Sequence, residues 1–489
     1  MLTDRQHIIQ KVKAEIAVSS DESHREKSEQ VKKAVEDAIR NLEPVLDEIS
    51  CESLIRIDSL SVEFTLSSVD YDQLGKKIES EIKEKIHESL KDQSGNTYPT
   101  FKVNSENISA DKGYREILSI FLKTGRLPWW ADERALDEAE QWLMNLSSDE
   151  WQTFIKPLGQ DPEVIARLIR QLSPSVVQEV VRKTVDMQSG GEQLIKLQNE
   201  ILQFMQSLNE SEAVYQESRR DLFSRMLIGS LAGLHPDKLS DDLLISVLNR
   251  MRKTDGARTD SQQLLNKFRQ WFKRSEQPEA EFWIYRLGNL SDKQTVLGEE
   301  LELTQQSADS KSDSFASDKP EEKEGVMAKN AGVVILHPFL ESLFKNLGYV
   351  ENGEFLNEAA RERGVCLVHY IATGQEEFPE YELPLPKFLC AWPPDVPVNR
   401  YLSLTESEKE ECNSVLLSCI QHWDAIKRTS IDGLRENFLH RDGVLKRDEF
   451  GWSLYIEEKT IDLMLDKLPW NLSIIKLNWM DEMLTVHRY

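Results

Sequence analysis

No stretch of this 489-residue sequence approaches the roughly 18 consecutive apolar residues that a membrane-spanning helix needs, so direct membrane insertion is not expected. Cysteine is scarce: five in the chain are too few for a disulfide framework. Four of them, Cys366, Cys390, Cys412 and Cys419, fall in the last third and read as small buried apolar residues of a reducing compartment. The opening MLTDRQHIIQKVKAEI is polar and helical in pattern, without the apolar run of a secretory signal, which points to folding in a cytoplasm. Positive charge is also short, with 60 Lys and Arg against 85 Asp and Glu and a formal net charge of −25. A field of that sign repels phosphate, so nucleic acid is not an expected partner. The chain has no GxxxxGK, GxGxxG, GxSxG, CxxC or HExxH pattern, so no cofactor, no metal and no catalytic residue is expected.

Two clusters imitate chemistry. His337, His369, His422, His440 and His487 are spaced widely and irregularly, unlike a zinc site. Cys412 and Cys419 lie two helical turns apart on a face shared with Leu416 and Trp423, which makes that face a core stripe. The second imitation is HRDGVLKRDEFG, His440 to Gly451. A kinase catalytic loop requires Asn where Arg447 stands, and Glu449 interrupts the DFG-like triplet. The plain reading is a charged turn in which Gly443 leads into a strand, Trp452 to Ile456. Asp and Glu pairs are so abundant that none marks an acid–base dyad, so an enzyme is not expected.

What the chain does have is helical periodicity in blocks. Val31, Val35, Ala38, Ile39, Leu42, Val45 and Leu46 recur at helical spacing, as do Leu74, Ile78, Ile82 and Ile86. Between them Leu60, Val62, Phe64 and Leu66 alternate with polar residues, the period of a half-buried strand. Together these define an α+β module over residues 1–105. Residues 106–303 read as a helical middle domain. It has a stop at Gly125–Pro128 and a start at Asp161–Pro162 repeated at Ser173–Pro174. Helices are expected near 135–146, 192–209, 211–232, 240–252, 261–273 and 278–290. Residues 304–325 are rich in Ser, Asp, Glu and Lys and read as a flexible linker. Residues 326–489 form a helix-rich α+β domain with a short terminal sheet. Its expected helices begin at Pro338, run from Glu358 to Thr373 and begin behind the Thr405–Glu408 capping box. A further helix spans Thr460 to Leu468, and LSIIKLNWM is a strand candidate. The fold class is therefore mainly α, multidomain α+β.

Large rings beside rigid turns are the remaining signal: Pro128, Trp129 and Trp130; Trp392, Pro393 and Pro394; Pro469 and Trp470. Such anchors dominate interface energies, so these residues are candidate protein contacts. The competing reading packs them inside their own domains.

Several long stretches resemble the tape-measure proteins of contractile injection systems, bacterial phage-tail-like particles. They are GVVILHPFLESLFKNLG, VHYIATGQEEFPEYELPLPKFLCAWP, HWDAIKRTSIDGLRENFLHRDG and DLMLDKLPWNLSIIKLNWM in the last third, with FLKTGRLPWWA and RLIRQLS upstream and IRIDSLSVEF more weakly. The resemblance implies a non-enzymatic assembly factor that templates inner-tube and sheath length. It also implies contacts with inner tube, spike or hub and baseplate proteins, and self-association. Such a component is cytoplasmic during assembly and ends in the lumen or at the baseplate end of the particle. The alternative is an effector carried as cargo in the tube. Wholly helical, the 489 residues would reach only about 730 Å at 1.5 Å each.

Limited proteolysis should cut first within residues 304–325 and release a protected product near Val326–Tyr489 on a denaturing gel. A first cut elsewhere would remove that boundary.

Overall fold

The structure, a computed structural model, describes residues 24–42, 54–57, 74–91, 105–108, 110–293 and 325–488, with gaps at 129, 160, 187–189, 209–211, 255–260, 275–278 and 449–450. The linker expected at 304–325 lies outside them except for Gly325. The chain divides into two compact units, residues 1–120 with 127–142, and residues 121–126 with 143–489.

In the first unit, α1 (His24–Arg40) and α2 (Leu74–Lys91) pack together. Their facing stripes are the ones the periodicity marks: Val31, Ala34, Val35 and Ala38 meet Leu74, Ile78 and Ile82. A two-stranded antiparallel ladder joins β1 (Leu54–Ile57) to β2 (Ser105–Ile108), with Leu54 opposite Ile108. The alternating Leu60, Val62, Phe64 and Leu66, and Val45, Leu46 and the placement of Ile86, lie outside the described residues. Two helices follow, α3 (Ala110–Thr124) and α4 (Glu133–Asn145), whose last residues, 121–124 and 143–145, belong to the second unit.

The second unit contains a run of helices: α5 (Ser148–Leu158), α6 (Pro162–Gln171), α7 (Pro174–Asp186), α8 (Gly191–Ser207), α9 (Glu212–Leu231), α10 (Pro236–Thr254), α11 (Ser261–Arg274) and α12 (Ala280–Lys293). Asp161 caps α6 as expected, its Oδ1 accepting from the Glu163 amide at 2.9 Å with Pro162 in the first turn. The helix α5 was not anticipated. Its signal is the Ser147–Glu150 capping box, which closes in both directions, Glu150 Oε2 accepting from the Ser147 amide at 2.9 Å. Trp151 of α5 is fully buried and its Nε1 donates to Thr184 Oγ1 of α7 at 2.9 Å. Lys183 caps α4 from outside: its Nζ donates to Met144 O and Leu146 O, each at 2.6 Å, where a helix C-terminus carries unpaired carbonyls. Rings of Phe204, Phe268, Phe272 and Trp283 stack in sequence across α8, α11 and α12, centroids 4.5–5.3 Å apart.

The C-terminal segment has its own core. Every buried residue of that cluster falls between Ala328 and Val486. A five-stranded sheet of β3 (Val326–Ala328), β6 (Gly443–Asp448), β7 (Gly451–Ile456), β9 (Leu484–Arg488) and β8 (Ile474–Ile475) runs in the order β3-β6-β7-β9-β8. All its pairings are antiparallel except β7–β9. Trp452, Leu454 and Ile456 point inward as the alternation requires. A separate hairpin, β4 (Val350–Glu351) with β5 (Glu354–Phe355), turns through Asn352–Gly353, the residue pair favoured in two-residue loops.

Helices α13 (His337–Asn346), α14 (Glu358–Thr373), α15 (Pro384–Leu389), α16 (Glu406–His422) and the short α17 (Ile431–Leu434) pack with this sheet segment. Helix α14 ends where expected, at a left-handed Gly374 with φ 75°. The stripe Cys412, Leu416, Cys419 and Trp423 is fully buried. Three expectations are corrected. HRDGVLKRD is not a turn leading into a strand; Gly443–Asp448 is itself a strand, paired along its length with β7. LSIIKLNWM gives only a two-residue strand, because Leu477, Trp479 and Met480 turn into the core. Thr460–Lys467 is a 3₁₀ segment rather than an α-helix.

The α16 cap supplies a pH test. Burial by itself raises the pKa of Glu408, but hydrogen bonds from Arg363, Tyr349 and Thr405 outweigh it and hold the carboxyl below its ordinary 4.5. Oε1 accepts from Tyr349 Oη and Arg363 Nε, each at 2.6 Å, and Oε2 from the Thr405 amide at 2.6 Å. A carboxyl whose folded pKa is depressed stabilises the fold above its unfolded pKa, and that contribution is lost as pH falls through the folded value. Urea midpoints of wild type and Glu408→Gln should therefore differ most near neutrality and converge as pH drops below about 4.5. A constant gap down to acid pH would contradict this assignment.

Candidate functional site

The strongest assembly of charged groups in the second unit lies where α6 meets the C-terminal segment. Helix α6 presents two faces. Val164, Leu168 and Leu172 are buried, and the helix packs on α7 and α9. Arg167, Arg170 and Gln171, at i, i+3 and i+4, share the other face. That polar face is also covered: Arg167 is 0% exposed and Glu380, which it meets, 3%. Arg167 Nε donates to Glu380 Oε2 at 2.9 Å, Nη1 to Leu122 O at 2.6 Å and Nη2 to Asp395 O at 2.6 Å. On the far side of the carboxylate, Lys387 of α15 donates to Glu380 Oε1 at 2.5 Å, Pro394 O at 3.0 Å and Val396 O at 2.9 Å. Burial lowers the Lys387 pKa, and the attraction of Glu380 opposes that shift.

The neighbouring polar groups read main chain. Gln171 Nε2 donates to Val398 O at 2.7 Å and Phe378 O at 3.2 Å, and its Oε1 accepts from the Glu380 amide at 2.8 Å. Arg170 Nη1 donates to Glu362 Oε1 at 3.0 Å and Pro397 O at 3.1 Å, and Arg170 O accepts from the Arg400 amide at 3.0 Å. A strap, Asp395 to Arg400, is thus held by its carbonyls and two amides, that of Arg400 and that of Asn399, which donates to Glu362 Oε1 at 2.9 Å. Gly125 closes the corner with φ 72°, and a Cβ there would lie 2.6 Å from Glu380 Cδ. Only glycine meets both conditions.

The candidate contact residues are distributed around this junction and beyond it. Trp392 is 5% exposed and belongs to the C-terminal core, its Nε1 donating to Val396 O at 2.9 Å. Pro393 and Pro394 are half-buried and follow it into the strap. Trp470 is half-buried, donates to Ile335 O at 2.9 Å and meets Phe339 edge-on at 5.2 Å, while Pro469 is exposed. Pro128 is buried, Trp130 is half-buried and Trp129 lies outside the described residues. The two internally bonded indoles leave Pro393, Pro394, Pro469 and Trp130 as the outward members of the set.

The junction was missed in the sequence because a charged residue at helical spacing reads as solvent-facing. The available signal was Arg-x-x-Arg-Gln adjoining an apolar stripe in a chain poor in positive charge. The histidines have separate neighbours. His369 Nε2 meets Glu382 Oε2 at 2.7 Å, His337 Nδ1 meets Val334 O at 2.9 Å, and His440 Nε2 meets Ala372 O at 2.9 Å. Among the described residues, no group of three His, Cys, Asp or Glu side chains is placed to hold a metal ion. No described helix is long and apolar enough to cross a membrane.

These groups hold elements of a mainly helical chain to one another. The sequence matches the family contractile injection system tape measure protein over residues 6–487. The chain belongs to that family, whose members are structural components of contractile injection particles. No curated protein and no solved structure matches it.

Trp392→Ala should destabilise the fold by about 3–5 kcal/mol in urea titration, the cost of a large core cavity. Trp392→Phe, which loses the bond to Val396 O but keeps most of the volume, should cost about 1–2 kcal/mol. An unchanged urea midpoint for Trp392→Ala would return the ring to a surface role.

Proposed function

We propose that this chain is a non-enzymatic assembly factor that sets inner-tube and sheath length and engages the spike or hub and the baseplate. The observation that carries the reading is a family match spanning nearly the whole chain, residues 6–487. Length setting is the structural role of the family. The particular partners follow from where such a component acts, between the tube it measures and the baseplate from which the tube grows. Pro393, Pro394, Pro469 and Trp130 are the proposed outward contacts, since rigid turns with at least partly exposed apolar surface lose little entropy on binding. The protein would assemble in the cytoplasm and come to lie in the lumen or at the baseplate end.

Removal of the gene, followed by electron microscopy of purified particles, tests this reading. Baseplates without tubes, or tubes of scattered length, are expected. Particles of normal length that have lost only their effect on a target would instead make the chain cargo.

A further inference from the structure

We propose that the α6 face is a latch: the helical array and the C-terminal segment separate at Arg167, Gln171 and the Asp395–Arg400 strap while each keeps its own core.

The inference does not rest on the length-setting reading. It starts from the chemistry of the contact. The C-terminal core takes all its buried members from Ala328 to Val486 and none from the array. Across the junction the bonds are largely polar: Arg167 to Glu380, Arg170 to Glu362, and side chains of α6 to carbonyls of Phe378, Asp395, Pro397 and Val398. Phe121 against Tyr381, centroids 6.4 Å apart, is a ring contact of the same corner. A buried ion cluster differs from an apolar seam in what opening does to it. Water re-solvates the guanidinium and carboxylate, which offsets much of the lost attraction, whereas exposed apolar surface gains nothing. The junction is therefore strict in geometry and modest in strength.

Both halves stay organised when it opens. On the C-terminal side Lys387 remains bonded to Glu380, Pro394 O and Val396 O, and Trp392 Nε1 also holds Val396 O. Glu380 keeps a cationic partner, and the strap keeps its path. On the array side α6 retains its packing on α7 and α9. The opened strap and the opened face are then each preformed for re-closing.

Two amides report the latch directly, because their hydrogen bonds cross it: Glu380 N to Gln171 Oε1 and Arg400 N to Arg170 O. Native-state hydrogen exchange on the intact chain should show both exchanging together. Their exchange should be about a hundredfold faster than that of interior amides of α14 and α16, with little dependence on low urea. Arg167→Leu should accelerate the two reporters by about tenfold more and leave the α14 and α16 amides unchanged. If that variant does not fold, Gln171→Leu, which removes the donor to Phe378 O and Val398 O, is read at the Arg400 amide alone, because it also removes the acceptor of the Glu380 amide. Reporters that exchange at the rate and urea dependence of the α16 interior would show that the junction opens only with global unfolding. That result overturns the latch, as does a variant that accelerates all amides equally.

Discussion

Glu380 is one carboxylate shared by two buried cations, and the second unit is organised around keeping it so. An isolated charge at 3% exposure is unfavourable unless it is paired and hydrogen-bonded. Here Arg167 comes from α6 and Lys387 from α15, so the requirement reaches across 213 positions of sequence. Arg170 and Gln171 join Arg167 from the same face of α6, bonding Glu362, Pro397 O, Phe378 O and Val398 O. The requirement fixes residue 125 as glycine, since any Cβ would enter the space the carboxylate occupies. It also fixes the strap, whose carbonyls complete the donors of both cations. Cations held in this way contribute less to net stability than to choosing one arrangement over its neighbours.

The elements of this fold that were legible in the sequence are those governed by local chemistry. The Asp161–Pro162 start, the Thr405–Glu408 capping box, the Gly374 stop and the stripe through Cys412, Leu416, Cys419 and Trp423 each depend on residues within a turn or two. Each stands as its pattern indicates. What was not legible depends on partners distant in the chain. Arg167 looks like any solvated arginine until Glu380 is placed beside it. Trp392 looked like an interface ring because no helical or strand period accounted for its burial. It is buried in the C-terminal core, with its indole bonded to Val396 O, a loop contact that has no period. LSIIKLNWM alternates well enough to suggest a strand, yet its large apolar residues leave the sheet edge for the core after two residues. The Ser147–Glu150 box marks the start of the short α5, while Pro157 in its last turn weakens the helical pattern.

The four described cysteines show the same division between composition and context. All are buried, and burial pushes the thiols of Cys412 and Cys419 up to about 12 and those of Cys366 and Cys390 well above the usual range. A thiol held in that form is a poor nucleophile, so these side chains serve packing. The acidic excess has a parallel explanation. The buried positive charges pair with or cap something internal, as Arg167, Lys183, Lys387 and Arg441 do. Among the residues whose burial is described, the buried acidic side chains are Glu140, Glu200, Glu380, Glu382 and Glu408, and the others are at least partly exposed.

A ruler that maps residues to length needs extended chain, and the described fold provides none. The longest helix of the array, α9 with 20 residues, spans only about 30 Å. Its neighbours pack beside it rather than continuing its axis, as the contacts of α9 with α6, α7, α8 and α10 show. Length in this folded state is therefore not carried by a single helix within the described residues. Either the ruler segment is short, or copies act together, or the folded domains extend after leaving this state. The last route requires a place where extension begins without melting both cores. A seam of polar bonds between two self-contained apolar cores meets that requirement, whereas the ring stack through Phe204, Phe268, Phe272 and Trp283 would resist it. Under the proposed latch the seam at α6 would open before the ring stack at α11, because water can replace the polar contacts of the seam and not the apolar contacts of the stack.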